Sequence, residues 1–303
     1  MSLPKITMVT VFTLSVVFQT ADAGAQKIYW TNWTEKKIQA ANLNGSNVQD
    51  LVSTEFEPYG IAVDPLGGKI YWTEGTGLIR RANLDGSTPE TLLSTFRPWE
   101  IALDLTAGKM YWTFGFDYTN GIARANLDGS GIEEKLVFTS DADTEGIALG
   151  DGKVYWTQPG EDMIRRANLD GSGVETIVET GLEWPSGIAV DPIQRKLYWC
   201  DLLNSKIQRS NLDGGEIEEI TIAGLKYPSS IALDSKEGKI YWAEVAAGGP
   251  GPRRLRRADV DGSDAEDLVT TGFHGLYVDL DVSQPPFGNR SWEVWVLGFW
   301  GSS

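Results

Sequence analysis

The sequence predicts an all-β fold, a six-bladed β-propeller of four-stranded antiparallel blades, from three observations. The dipeptide Tyr-Trp occurs six times among 303 residues, at steps of 42, 40, 44, 43 and 43 residues. A turn dipeptide, Asp-Gly or Asn-Gly, follows each Tyr after 14 to 20 residues. An apolar stretch of the form G-I-A-V-D precedes the Tyr, most clearly at 60–64 and 187–191. A repeat step of about 40 residues is typical of propellers and solenoids.

Each repeat reads as four short strands, A to D. In the second repeat we expect strand A at 61–63, B at 69–73, C at 78–84 and D at 90–93. Strand B is apolar on both alternating faces, so it should be covered on both sides, as stacked blades would cover it. The Asp-Gly dipeptides predict two-residue hairpin turns between strands C and D, with both central positions at positive φ.

The first 23 residues have the pattern of a secretory signal peptide. Lys5 precedes the apolar run 6–18, and Ala21-Asp22-Ala23 forms a small-x-small cleavage site before Gly24. The apolar run is too short to span a bilayer, which takes about 20 residues. The alternative is that this segment forms strand A of the first blade, because Asp22 precedes Tyr29 by seven residues, as Asp64 precedes Tyr71.

The C-terminal part supplies a strand A that no Tyr-Trp follows, at 275–279. We expect this inner strand to complete the first blade and close the ring, which removes open sheet edges. The propeller domain is then 24–280. The remaining segment, 281–303, carries Trp292, Trp295 and Trp300. We expect it to pack as a tail on the propeller rim, with a disordered end as the alternative.

The repeats resemble the YWTD repeats of the low-density lipoprotein receptor family over residues 27–280. The resemblance implies a six-bladed propeller that receives protein ligands on the face of the D-to-A and B-to-C connections. The third motif position is always small, as expected where another sheet approaches closely: Thr31, Thr73, Thr113, Thr157, Cys200 and Ala243. The fourth motif residue is Asn32, Glu74, Phe114, Gln158, Asp201 and Glu244, so five of the six copies depart from the family's Asp. Family propellers adjoin cysteine-rich modules, whereas Cys200 is the single cysteine here, which favours a freestanding propeller.

Charge and composition limit the possible partners. Forty-two acidic residues against 26 basic ones give a net charge of -16. Nucleic-acid binding needs basic surface, so we exclude nucleic acid as a partner. A cationic partner, or solubility as a monomer, fits this charge better.

The residues available for chemistry are few. His274 is the only histidine, which excludes a site of several histidines, and we predict no metal and no cofactor. The alternative function is a propeller enzyme, a lyase or hydrolase, that uses carboxylates at the channel mouth with or without calcium. Its candidate groups are Glu100, Glu145, Asp201 and Glu244. Fold alone does not imply such an activity.

The candidate site follows from strand direction. The D-to-A and B-to-C connections lie on one face of a four-stranded blade, because successive strands alternate in direction. We predict that this face binds a protein or peptide ligand carrying Lys or Arg, with Trp99 and Trp184 as anchors and Glu57, Glu100 and Glu145 as charge partners. The full candidate set is Trp33, Glu57, Tyr59, Trp99, Glu100, Phe116, Tyr118, Glu145, Trp184, Tyr227, Phe273 and His274.

Two points complete this prediction. The longest B-to-C connection is expected to contribute Arg253, Arg254, Arg256 and Arg257 to the same face. The alternative for the aromatic residues that adjoin prolines is that they fill gaps between blades. The protein is expected to be secreted, periplasmic or at the cell surface.

Overall fold

Six four-stranded antiparallel sheets surround a central channel in the computed structural model, which describes residues 26–116, 119–140, 143–245, 253–271 and 277–282. The side chains of residues 116, 119, 140 and 271 lie outside the described part. Strand A of each blade lines the channel and strand D is outermost. The predicted six-bladed β-propeller is therefore confirmed.

The strand bounds, by blade, are as follows. Blade 1 has β1 (Lys27–Asn32), β2 (Lys37–Asn42) and β3 (Gln49–Ser53); blade 2 has β4 (Pro58–Asp64), β5 (Lys69–Glu74), β6 (Leu78–Asn83) and β7 (Glu90–Ser94); blade 3 has β8 (Pro98–Asp104), β9 (Lys109–Phe116), β10 (Thr119–Asn126) and β11 (Glu133–Ser140). Blade 4 has β12 (Ile147–Gly150), β13 (Lys153–Gln158), a 3₁₀ turn (Pro159–Glu161), β14 (Met163–Asn168) and β15 (Glu175–Val178); blade 5 has β16 (Pro185–Asp191), β17 (Lys196–Asp201), β18 (Lys206–Asn211) and β19 (Glu218–Ile220); blade 6 has β20 (Pro228–Asp234), β21 (Lys239–Glu244), β22 (Arg253–Asp259) and β23 (Glu266–Thr271). The last strand, β24 (Val278–Leu280), returns to blade 1 as its strand A.

Ring closure by the C-terminal strand is confirmed, with a register two residues from the expected one. Asp279 pairs with Tyr29 in the closing strand, just as Ala62 pairs with Tyr71 in blade 2. The sequence pattern had placed Asp279 at the position of Asp64. Because β24 occupies the strand A position of blade 1, the alternative strand A from the N-terminal segment is wrong. Residues 1–25 lie outside the described part, so the signal peptide stays a prediction.

The motif strands are buried on both faces, as predicted. The Tyr and Trp of all six copies are at most 2% exposed, and Cys200 is buried as a free thiol. Each β-strand buries alternate side chains on opposite faces, so both neighbouring blades pack against it. The tight packing of these aromatic layers makes the largest hydrophobic contribution to the ring.

The C-to-D connections differ from the predicted two-residue turns. In blade 2, Gly86 has φ of 81° while the preceding Asp85 is not in the positive-φ region. Gly86 donates its N–H to the carbonyl of Asn83 at 2.8 Å, and the Asp85 carboxylate accepts the N–H of Ser87 at 2.9 Å. The connection is therefore a loop longer than two residues, in which the Asp side chain accepts a hydrogen bond from the backbone N–H two residues further on. This bond explains why Asp precedes Gly, although the Asp backbone does not have a positive φ.

A hydroxyl at the third motif position joins neighbouring blades near the channel. Thr113 accepts the N–H of Glu100 in its own blade at 3.1 Å and donates to the carbonyl of Glu145 in the next blade at 2.7 Å. Thr73 and Thr157 make the same kind of inter-blade bond. The copies with Cys200 and Ala243 lack this hydroxyl, and a strand A serine bonds the next blade instead: Ser186 to Pro228, and Ser230 to Val278.

A second set of contacts joins the blades further out. Arg124 in β10 donates to the carboxylate of Glu133 in β11 at 2.8 and 2.9 Å and to the Leu169 carbonyl of the next blade at 2.6 Å. Arginines at the same place in four other blades also reach a carbonyl of the following blade: Arg81, Arg166, Arg209 and Arg257. Arg257 does so across the closing seam, to Leu43. Within the described residues, no helix is long and apolar enough to cross a membrane.

Candidate ligand-binding site

A pocket of about 480 Å³ opens where the channel meets the D-to-A and B-to-C connections. We call this side of the ring the loop face. Every lining residue belongs to one of those two kinds of connection or to the strand ends beside them. The lining consists of Trp33, Pro58, Tyr59, Trp99, Gly115, Asp143, Thr144, Glu145, Pro159, Trp184, Leu202, Ser229, Val245 and Tyr277. Five of the predicted site residues, Trp33, Tyr59, Trp99, Glu145 and Trp184, thus surround one cavity.

Three aromatic rings from consecutive blades form one wall of the pocket. Trp33 follows β1, whereas Tyr59 and Trp99 are the second residues of β4 and β8, directly after Pro58 and Pro98. The ring centroids of Trp33 and Tyr59 are 5.6 Å apart, and those of Tyr59 and Trp99 are 4.6 Å apart. These separations are those of interacting aromatic pairs. The same rings therefore pack against one another between blades and also present a surface to the pocket, and their contact with a ligand stays a prediction.

Trp184 stands on the opposite wall in a strained backbone conformation. Its φ is 64°, a region that bulky residues rarely adopt. Two bonds hold it there: its N–H donates to the carboxylate of Asp162 at 2.8 Å, and its carbonyl accepts the N–H of Leu202 at 3.1 Å. The side chain is nevertheless 40% exposed. The loop thus tolerates backbone strain while it presents a large aromatic side chain to solvent and to the pocket.

Glu145 and Tyr277 form the polar part of the pocket. The Tyr277 hydroxyl donates to Oε1 of Glu145 at 3.4 Å. Desolvation by burial raises the pKa of Glu145 to about 7, and the nearby charge of Asp143 acts in the same direction, while bonds from Tyr277 and Trp184 oppose it. Burial likewise raises the pKa of the Tyr277 hydroxyl, which therefore stays a donor. Glu145 is thus poised to change its charge near neutral pH.

Glu100 lies in the channel rather than at the loop-face mouth. Strand A of blade 3 begins at Pro98, two residues earlier than Glu100, so this carboxyl projects from within the strand. It is 8% exposed, and its Oε2 accepts the N–H of Ile147 at 3.1 Å. Burial raises its pKa well above the usual range. The expectation of an exposed, charged Glu100 at the mouth is therefore corrected: a desolvated carboxyl favours its neutral form.

Glu57 and Tyr227 lie outside the central pocket. Glu57 forms an ion pair with Lys36 at 3.5 Å and lines a small adjoining cavity of about 250 Å³ together with Arg97. Tyr227 has φ of 45° and donates its N–H to the Ser205 hydroxyl at 3.2 Å, the same arrangement as Trp184. Both residues stay candidate contacts at the edge of the loop face. The side chain of Phe116, and all of Tyr118, Phe273 and His274, fall outside the described residues.

The arginine cluster expected in a connection belongs to a strand. Arg253 begins β22, and this strand pairs with β21 and β23. Arg254 and Arg256 bond the carboxylate of Glu244 at 2.6 and 2.9 Å. The prediction of a basic loop is wrong because the strand continues through the arginines. The charges of Arg254, Arg256 and Arg257 are matched by carboxylates within the blade. Glu244, one of the proposed catalytic carboxylates, is thereby held as an ion-pair partner.

Asp201 is also committed to local structure. Its carboxylate accepts the N–H of Glu183 at 2.9 Å and the side-chain amide of Asn204 at 2.8 Å. No group of three or more His, Cys, Asp or Glu side chains suited to a metal ion occurs in the part of the chain that is described.

Tyr277 lines the pocket but was not among the residues predicted from the sequence. In the observed register Tyr277 occupies the strand A position of Gly60, since its N–H bonds the hydroxyl of Thr31 as that of Gly60 bonds Thr73. Each blade has one residue at this strand A position. From blade 2 to blade 6 and then blade 1, these residues are Gly60, Glu100, Gly146, Gly187, Ser230 and Tyr277. Only Glu100 and Tyr277 are large, and these two side chains occupy the channel. Aligning the six copies at this position would have identified both.

Comparison with known proteins agrees with this architecture. The model of the low-density lipoprotein receptor repeat class B matches residues 26–65 and 152–192. Human low-density lipoprotein receptor-related protein 4 is 37% identical over 226 aligned residues, which cover 58% of this chain and 12% of that protein. The chain thus spans about an eighth of the length of that relative.

Solved structures share the fold. A propeller from a nidogen/laminin complex superposes with a TM-score of 0.71 at 22% identity, covering 86% of this chain and all of that one. Virginiamycin B lyase from Staphylococcus aureus has a TM-score of 0.59 at 20% identity, covering 80% of each chain. At these identities the likeness concerns the fold alone. This chain is thus a six-bladed β-propeller in which residues 26–65 and 152–192 match low-density lipoprotein receptor class B, or YWTD, repeats.

Proposed function

We propose that this propeller is a protein-binding module whose loop face receives a protein or peptide ligand, with a lysine or arginine side chain entering the central pocket. The observation that carries the proposal is the composition of that pocket. Its walls hold five aromatic side chains, Trp33, Tyr59, Trp99, Trp184 and Tyr277, and its acidic groups are Asp143 and Glu145. Among the described lining residues none is basic.

Such a lining suits a cation on an aliphatic stem. Aromatic faces attract ammonium and guanidinium groups, and the attraction is stronger where water is excluded. The carboxylates of Asp143 and Glu145 supply the opposite charge, while Leu202 and Val245 offer apolar contact to methylene groups. The volume of about 480 Å³ is within the range of specific ligand pockets.

The wider face favours a macromolecular ligand. Trp33 and Trp184 are 41% and 40% exposed at the pocket rim. Large exposed aromatic residues around a central cavity are the kind of residues that dominate protein interfaces. The relative named a receptor-related protein and the propeller seen in a nidogen/laminin complex support a protein ligand. We further propose that the protein is secreted, periplasmic or at the cell surface, which the pattern of residues 1–23 supports.

An enzyme is the second candidate, because a lyase shares the fold. The bonds of Asp201 and Glu244 favour structural roles for these two carboxylates. Glu145 is the carboxyl best placed for acid–base chemistry, since its pKa of about 7 would suit a general acid or base. We favour ligand binding over catalysis because the carboxyl group of Glu145 lies among the aromatic side chains that line the pocket.

The proposal is tested with two capped pentapeptides, Gly-Gly-Lys-Gly-Gly and its analogue with norleucine in place of lysine. Titration calorimetry at pH 7.5 should show tighter binding of the lysine peptide, and Glu145→Gln should reduce the difference between the two. Glu179→Gln, which removes an exposed carboxylate outside the pocket, is the matched control and should leave both affinities unchanged. Equal affinities for the lysine and norleucine peptides would contradict the proposal that a cationic side chain enters the pocket.

A further inference from the structure

A second cavity opens at the other end of the channel, on the side of the A-to-B turns, which we call the turn face. Its volume is about 280 Å³. Strand A of all six blades forms its walls, and every lining side chain except two is aliphatic. The exposed side chains of Leu66 and Leu105, in the A-to-B turns of blades 2 and 3, lie at its rim. The cavity thus has an open mouth and walls suited to a hydrocarbon group.

The two exceptions are carboxyl groups inside the channel. Glu100 belongs to β8 and Asp279 to β24, and both line the cavity. A strand rises about 3.3 Å per residue, so Glu100 lies roughly 13 Å along β8 from Asp104 at the turn-face end of that strand. In the part of the chain that the structure describes, no basic side chain lines the cavity. The cavity therefore combines aliphatic walls with acidic groups in its inner part.

The two carboxyls differ in how many of their oxygens are already bonded. Oδ2 of Asp279 accepts the N–H of Val63 at 2.8 Å, and Oδ1 accepts the N–H of Leu280 at 2.8 Å. Oε2 of Glu100 accepts the N–H of Ile147 at 3.1 Å, whereas Oε1 has no partner among the described residues. Bonds to the next blade explain one oxygen of each carboxyl, but they leave Oε1 of Glu100, a residue only 8% exposed, available to a ligand that carries a donor.

The surroundings of Glu100 favour a cationic donor. Burial raises the pKa of Glu100 well above the usual range, and the charges of Glu145 and Asp279 act in the same direction, while the bond from Ile147 opposes them. A desolvated carboxyl near other carboxyls is stabilised in its charged form by an opposite charge close to it. An ammonium group at Oε1 supplies that charge and donates a charge-assisted hydrogen bond.

We propose that the turn-face cavity binds a small primary amine with an aliphatic chain, its ammonium group on Glu100 and its chain along the strand A walls. A cavity of roughly 150 Å³ holds benzene, so this larger one accommodates a molecule such as hexylamine. Aliphatic walls favour an organic ammonium over a metal ion, which needs several oxygen ligands. The proposal is independent of the loop-face pocket, whose walls are aromatic and whose acidic groups are Asp143 and Glu145.

Titration calorimetry at pH 7.5 compares hexylamine with hexanol, its uncharged counterpart, on the full chain. Hexylamine should bind about tenfold more tightly than hexanol, because its bond to the carboxyl is charge-assisted. Glu100→Gln should remove most of this difference, since the amide still accepts the N–H of Ile147 but cannot carry a charge. Glu179→Gln, which removes an exposed carboxylate outside both pockets, is the matched control and should keep it. The melting temperature of each variant reports on its folding.

The position of the amine is measured with a hexylamine analogue that carries a photoreactive diazirine at the far end of its chain. Tandem mass spectrometry then assigns the labelled residues, which should fall within 61–66 and 101–105 on the cavity walls. Labels confined to Tyr59, Trp99 or Trp184 would place the amine in the loop-face pocket and overturn this proposal, while the peptide titrations still decide the loop-face proposal. Absence of hexylamine binding, equal affinities for hexylamine and hexanol, or an undiminished difference in Glu100→Gln would also overturn it.

Discussion

Trp72 donates its indole N–H to the carboxylate of Glu74, two residues further along strand β5, at 2.9 Å. The same bond joins Trp156 to Gln158 at 3.3 Å and Trp242 to Glu244 at 3.2 Å. Where the fourth motif residue is Phe114 or Asp201, the indole N–H of Trp112 or Trp199 has no partner among the described residues. In these three blades the residue in place of the family's Asp is Glu or Gln, whose side chain is one methylene group longer. The longer side chain reaches the buried indole N–H.

Replacing Glu74 tests this relationship. Glu74→Leu leaves the buried indole N–H of Trp72 without an acceptor and removes the partner of Arg80, so we expect a loss of about 2 to 3 kcal/mol in the free energy of unfolding. Glu74→Gln keeps an acceptor, as Gln158 does in blade 4, and should cost about 1 kcal/mol or less. Urea unfolding gives both values. Equal losses for the two variants would show that the indole bond contributes nothing measurable.

The outer arginines make a second prediction. Arg124→Lys cannot keep both bonds to Glu133 and the bond to the Leu169 carbonyl, because an ammonium lacks the planar fork of guanidinium. We expect a loss of about 1 to 2 kcal/mol in stability. Arg195→Lys is the control, since its exposed pair with Asp151 should contribute little. A smaller loss at Arg124 than at Arg195 would contradict this role.

Ring closure predicts a difference between two truncations. A chain ending after Leu276 loses β24, which leaves strand A of blade 1 empty and opens two sheet edges. It should aggregate or unfold without a cooperative transition. A chain ending after Val282 keeps the closing strand and should unfold cooperatively. Calorimetry and sedimentation compare them, and a soluble first truncation with the melting temperature of the second would refute closure by β24.

The sequence was sufficient for the architecture because the repeat is long and the motif is buried. Six Tyr-Trp pairs located strand B in every blade, and the solitary strand A pattern near residue 279 predicted the closure. The register of that strand was misread by two residues. The pattern G-L-Y-V-D matched G-I-A-V-D by letters, whereas the hydrogen bond from Tyr277 to Thr31 determines the true alignment.

The site was only partly predictable, for physical reasons that the sequence does not show. Strand order alone indicates which connections share one face of the ring. The sequence could therefore predict four residues that line the pocket: Trp33, Tyr59, Trp99 and Trp184. Glu100 was misplaced because the start of β8 depends on its pairing with β9, where Pro98 lies opposite Phe114. Arg253 and its neighbours looked like a loop because Gly and Pro precede them, but pairing with β21 and β23 extends the strand through them.

The raised pKa of Glu145 predicts how stability depends on pH. Its folded-state pKa of about 7 exceeds the ordinary 4.5, so the folded state binds the proton more tightly, and the resulting stability is present below about pH 4.5 and lost as pH rises through 7. The shift corresponds to roughly 3 kcal/mol at most. Asp279, with a pKa raised by burial to about 6, acts in the same direction.

The measurement is the melting temperature of the unliganded protein between pH 5 and pH 8. Glu145→Gln should raise the melting temperature at pH 8 relative to the unmodified chain and change it little at pH 5. The control Glu179→Gln also removes one charge from the acidic protein but should show no such pH-dependent difference. If both variants behave alike, the effect belongs to overall charge rather than to the buried carboxyl.

Paired variants on the two opposite faces of the ring decide whether the loop face is the binding face. Trp184 and Ile193 are exposed to similar extents, 40% and 52%, on the loop face and the turn face. The affinity of the capped lysine pentapeptide is measured for Trp184→Ala and Ile193→Ala, with the melting temperature of each variant as a folding control. If the peptide binds the loop face, Trp184→Ala weakens binding by about tenfold, or about 1.4 kcal/mol, while Ile193→Ala leaves it unchanged. Affinity lost at Ile193 and kept at Trp184 would contradict it.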